Sequence, residues 1–80
     1  MNERVASSLQ ADAFYDAEDR GGASGALDAI ADSMYRLAPN QTLEIRAADP
    51  SFTVDLAAWC RLTGHVLVMH AGDCYLIRHK

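Results

Sequence analysis

Cysteine, proline and basic side chains are scarce in this sequence, and it has no long apolar run. Two cysteines, Cys60 and Cys74, and two prolines stand among 80 residues. Two cysteines do not make the disulfide framework of a small secreted domain. The expectation is a pair of free thiols in a reducing compartment. Lys and Arg number 7 against 11 Asp and Glu, a net charge of −4. Scattered cations on an acidic chain give no footprint for nucleic acid. No apolar stretch approaches the roughly 20 residues that cross a bilayer, so membrane insertion is not expected. Met1–Ala11 has one arginine and no apolar h-region, hence no expected signal peptide and an expected cytoplasmic location. Gly21-Gly22 is not followed by the G-K-[ST] of a phosphate loop. No internal repeat or low-complexity segment interrupts the chain.

What is present is a globular composition: 50% of residues are hydrophobic, enough for one small core and too many for wholesale disorder. A domain of this length buries a little over half of its unfolded surface. Residues 1–12 read as a flexible polar lead-in and 13–80 as the domain. Ala13–Ala17, with Phe14 and Tyr15, reads as a short strand, and Glu18–Gly25 as a loop. Leu27, Ile30, Ala31, Met34 and Leu37 share one helical face, opposite Asp28, Asp32, Ser33 and Arg36. Ser24 is the expected N-cap of this helix and Pro39-Asn40 its end.

Thr42–Ala48 alternates, with Leu43, Ile45 and Ala47 on one face and Thr42, Glu44 and Arg46 on the other, the pattern of a half-buried strand. Asp49-Pro50-Ser51 signals a turn. A second helix is expected over Phe52–Thr63, with Leu56, Trp59, Cys60 and Thr63 on its apolar face and Gly64 at its C-terminal cap. His65–His70 and Cys74–Arg78, joined by Ala71-Gly72-Asp73, read as a hairpin. The order β-α-β-α-β-β predicts an α+β, two-layer α/β sandwich. Two helices pack on one face of a four-stranded mixed sheet, and the other face, with Glu44 and Arg46, is polar.

From Leu37 onward the sequence resembles the TusA/SirA family of small sulfur carriers. The resemblance rests on Leu37-Ala38-Pro39-Asn40-Gln41, Leu43-Glu44-Ile45 and Ala48-Asp49-Pro50. It continues through Asp55-Leu56-Ala57-Ala58-Trp59-Cys60-Arg61, Thr63-Gly64-His65-Val66-Leu67 and Tyr75-Leu76-Ile77-Arg78. It implies the same two-layer fold, and sulfur relay as the activity. In that family a C-P-x-P motif opens the first helix, and its cysteine takes a persulfide from a cysteine desulfurase or rhodanese-like donor. A thiolate there gains from the free N–H groups and the dipole.

Here the motif falls on Ala23-Ser24-Gly25-Ala26. The cysteine position is Ala23, or Ser24 if the longer preceding loop shifts the register by one. Neither supplies a thiol, and Ala57 stands where the second-helix motif usually has proline. The resemblance therefore implies a degenerate site, not an enzyme by the usual route: a binding or regulatory module whose partner is a cysteine desulfurase or another sulfur-relay protein. One alternative is an active carrier with a displaced thiol, Cys74 before Cys60. Another is a structural or assembly protein that pairs through an edge strand or the open sheet face.

The other motif-matching residues, Asp49, Pro50, Asp55, Trp59, Cys60, Gly64 and His65, read as structural. Cys60 and Trp59 belong to a core face, Asp49 and Asp55 to turns or caps, and His65 packs beside the helix end. Cys60–His65 and Cys74–His79 share a spacing. Residues five apart on a strand point to opposite faces and match no structural zinc pattern, so no metal is expected. No cofactor is expected either.

Overall fold

Alternating apolar residues and two amphipathic segments resolve into six elements. The structure, a computed structural model, describes residues 10–18, 20–21 and 25–80. The elements are β1 (Ala13–Glu18), α1 (Ala26–Tyr35), β2 (Thr42–Ala47), α2 (Phe52–Thr63), β3 (Val66–Ala71) and β4 (Cys74–Arg78). The strands form one sheet in the order β1-β2-β4-β3. β1 and β2 are parallel, and the remaining pairs are antiparallel. This is the mixed-sheet α+β sandwich expected from the element order. No helix among the described residues is long and apolar enough to cross a membrane. The lead-in expected over residues 1–12 falls mostly outside the described residues. Its last residue, Asp12, donates its N–H to the Thr42 carbonyl at 3.1 Å and accepts the Thr42 N–H at 2.8 Å.

Both helices contribute to the core along single ridges. Ala26, Ile30 and Met34 of α1 and Phe52, Leu56 and Cys60 of α2 are buried at i, i+4 and i+8. They meet Ala17 of β1, Leu43, Ile45 and Ala47 of β2, and Tyr75 and Ile77 of β4 in one cluster, with Leu27, Leu37, Trp59 and Leu67 at its margin. Ala31, expected on the buried face, is exposed. One residue is about 100° of rotation, and the narrow i, i+4 ridge through Ile30 turns Ala31 out of the core.

The ends of α1 also depart from expectation. Its N-cap is Gly25, with φ 97°, and no side chain caps it. Ser24, the expected cap, lies outside the described residues. The helix ends at Tyr35, before Pro39 is reached. The Arg36 and Leu37 N–H groups tighten onto the Ser33 and Met34 carbonyls at 3.2 and 3.0 Å, closing the last turn early. α2 follows its sequence signals closely. Asp49 accepts the Ser51 N–H and hydroxyl at 2.9 Å, a side-chain-built turn that launches the helix. Gly64, with φ 90°, caps the other end, and its N–H reaches the Cys60 carbonyl at 2.9 Å.

Glu44 requires a correction. The alternation places it on the helix-free face, and it does lie there, paired with Phe14 of β1 and Leu76 of β4. That face is not uniformly polar at this point. Leu76 in turn pairs with Met69 of β3, so Glu44 sits in a row whose other members are apolar. It is only 3% exposed, and its Oε1 has no hydrogen-bond partner. A buried polar atom without a partner costs about 1–3 kcal/mol. Glu44→Leu is therefore expected to stabilise the fold by about that amount, since its cross-strand neighbours already suit an apolar side chain. A higher urea midpoint at unchanged slope would bear this out, and a lower midpoint would contradict it.

Candidate functional site

The chain leaves β1 for α1 at one end of the sheet. Ala23 and Ser24, where the resemblance puts the sulfur-accepting position, lie outside the described residues. The described residues at this end of the sheet include several carboxylates. Asp16, Glu18, Arg46, Ala48 and Asp73 line a pocket of about 240 Å³ at this end of the sheet. Arg46 Nε is 3.8 Å from Asp73 Oδ2, and Asp16 Oδ1 accepts the Glu18 N–H at 2.8 Å. Arg20, the loop's one basic residue, is folded back on β1. It donates to the Tyr15 hydroxyl at 2.9 Å and to the Ala17 carbonyl at 3.3 Å. Three carboxylates around one guanidinium form a poor setting for an anion.

Both cysteines are free thiols, as expected, and they lie on opposite faces of the sheet. Cys60 is in the core, 4% exposed, and burial pushes its thiol up from the usual range. A buried thiol of this kind is inert. Cys74 opens β4 on the helix-free face, half-buried, paired with Arg46 and Ala71. Its Sγ lies 4.0 Å from Asp73 Oδ1. Neither thiol stands at a helix N-terminus. Of the other motif residues, Asp49 builds the turn already described, Pro50 is exposed beside it, and Asp55 lies in the first turn of α2, at the positive end of the helix dipole.

Trp59, Gly64 and His65 belong to the opposite end of the molecule, where α1 and α2 finish. There Ala31, Met34 and Tyr35 of α1 face Trp59, Leu62 and Thr63 of α2 across a cleft of about 440 Å³, closed by His65, His79 and Lys80. The Trp59 and His65 ring centroids are 5.4 Å apart. The His65 and His79 rings meet edge-on at 4.8 Å. Lys80 donates its N–H to His65 Nδ1 at 3.2 Å and its Nζ to the Thr63 carbonyl at 2.8 Å. His79 Nδ1 is 2.8 Å from the Lys80 carbonyl, which fixes the proton on that nitrogen. His65 thus packs beside the helix end, as expected. The spacing argument did not anticipate that it meets His79, or that Tyr35 and Leu62, 88% and 85% exposed, frame the same cleft.

The signal for this convergence is the hairpin register. β3 and β4 pair Val66 with Arg78, so the next pair outward is His65 with His79. A bulge between Leu67 and Met69 sets this register; without it Lys80 would lie opposite His65.

Burial first, then the neighbouring His79 and Lys80, hold the His65 imidazole below the usual range. It is expected to titrate below a free imidazole in the folded protein, and His79→Asn should move its titration upward. Because the folded value is depressed, this group's contribution to stability is complete above the unfolded value and is lost as pH falls through the folded one. Imidazole proton shifts followed by NMR across pH check this, and a His65 titration at or above the free value contradicts it.

Among known proteins, no family model matches this chain and no curated protein matches it at a significant level.

Proposed function

We propose that this chain is a thiol-independent binding module: a sulfur-carrier-like fold that meets a sulfur-relay partner, such as a cysteine desulfurase, without carrying the persulfide itself. Its location on this reading is the cytoplasm. The observation that supports it most is the placement of the two thiols. Cys60 is sealed in the core, and Cys74 is held in a strand beside Asp73 on the helix-free face. The β-α-β-α-β-β order agrees with the resemblance, while Ala23 and Ser24 give the usual position no sulfur nucleophile.

A second reading keeps sulfur transfer and assigns it to Cys74. The half-buried position and the cross-strand Arg46 favour it. In that case the Cys74 thiolate would attack the outer sulfur of a donor persulfide, and the donor thiolate would leave. One experiment separates the two readings. The chain is incubated with a cysteine desulfurase and labelled cysteine, and its intact mass is measured. The binding-module reading expects no added sulfur. A gain of one sulfur that Cys74→Ser abolishes would establish the carrier reading in its place.

A further inference from the structure

The cleft between the C-terminal ends of α1 and α2 is lined by neither cysteine. Its walls are Met34 and Tyr35 on one side and Trp59 and Leu62 on the other. Tyr35 and Leu62 are among the most exposed large hydrophobic side chains of the described residues. Exposed apolar residues scattered singly need no explanation, but a pair on the two rims of one concave surface marks a contact site. The cleft's charge is also distinctive. The chain as a whole carries −4, yet no described residue lining the cleft is acidic, and one end holds Lys80, the only lysine, with two histidines. The hydrogen bonds fix the donors. His65 Nδ1 accepts the Lys80 N–H, so its proton sits on Nε2 and remains available to an acceptor. The Lys80 ammonium is held in place on the Thr63 carbonyl.

We infer that this cleft docks a partner segment that carries a large apolar side chain and, within one helical turn of it, a carboxylate. The apolar side chain fills the space between Met34, Trp59 and Leu62, and the carboxylate meets His65 Nε2–H and the Lys80 ammonium. Shape and apolar area supply the anchor, and charge complementarity supplies the choice of partner. The inference goes beyond the binding-module reading and does not depend on it: persulfide on Cys74 would overturn that reading and leave the cleft intact.

The experiment uses Trp59, the only tryptophan, as a reporter built into the cleft. The full chain is titrated with tryptophan-free acetylated peptides bearing one Leu or Phe and one Glu, with the two residues one to four positions apart. A parallel set carries Gln and another Lys in place of Glu. At least one acidic peptide is expected to shift Trp59 emission saturably. Its Gln and Lys counterparts should bind about tenfold or more weakly, the loss of one charge-assisted hydrogen bond. Leu62→Glu and Lys80→Gln should each weaken binding to a similar degree. Val54→Glu, on an equally solvent-facing part of α2 (71% exposed), should leave it unchanged. Circular dichroism establishes that each variant is folded, and Leu62→Glu stands as the test if removing the Lys80 cap loosens α2. The inference is overturned if no acidic peptide binds more tightly than its Lys counterpart, or if Val54→Glu weakens binding as much as Leu62→Glu. It is also overturned if the chain alone self-associates in a way that Leu62→Glu abolishes, which would assign the cleft to a second copy.

Discussion

Tyr75 is the contact on which the arrangement of layers depends. It heads the fully buried side chains by volume, and it sits on β4, between β2 and β3, in the interior of the sheet. Its backbone pairs with Ile45 on one side and His70 on the other. The His70 ring stacks on it at 4.3 Å. Phe52, the first residue of α2, meets it edge-on at 5.3 Å, and its hydroxyl bonds the Thr53 hydroxyl at 2.6 Å. One side chain therefore ties the hairpin to the central strand and fixes where α2 starts over the sheet. With that start fixed, the helix length decides where α2 ends, and its end forms one wall of the cleft. A buried aromatic whose polar tip is satisfied holds such a position at little cost.

Much of this architecture is legible in the sequence, and the legible parts share a physical reason. β2 alternates because one of its faces meets both helices, so Leu43, Ile45 and Ala47 report burial directly. α2 carries a turn-building Asp49 before it and a left-handed Gly64 after it, and its bounds follow from those two residues. Where the reading departs from the structure, the deciding contact is remote in sequence or one residue finer than periodicity resolves. Ala31 and Ile30 differ by one residue, yet only Ile30 lies on the ridge. Alternation correctly turns Glu44 away from the helices. It does not reveal that the row crossing the sheet at that point is apolar, because that row joins four strands. The meeting of His65 and His79 depends on a bulge that sequence spacing does not show.

The candidate site divides in the same way. The resemblance points to residues 23 and 24 and helical spacing to Cys60 and Trp59, and each of these signals is local. The cleft draws on α1, α2, the start of β3 and the residues after β4, so no single stretch announces it. Its two ends of the molecule also differ electrostatically. Asp16, Glu18 and Asp73 surround Arg46 where β1 hands over to α1, whereas Lys80, His65 and His79 gather where the helices finish. Contacts between charged surfaces steer encounter more than they add affinity. An acidic partner segment is thus directed away from the first end and toward the second.

On this account the working surface lies at the C-terminal ends of the helices, not at the start of α1 where the sulfur carriers hold their thiol. The most direct measurement maps amide shift changes over the whole isotopically labelled chain as an acidic, apolar peptide is added. The account predicts changes concentrated at Tyr35, Trp59, Leu62, His65 and His79. Changes concentrated at Gly25, Ala26 and Cys74, with the cleft silent, would contradict it.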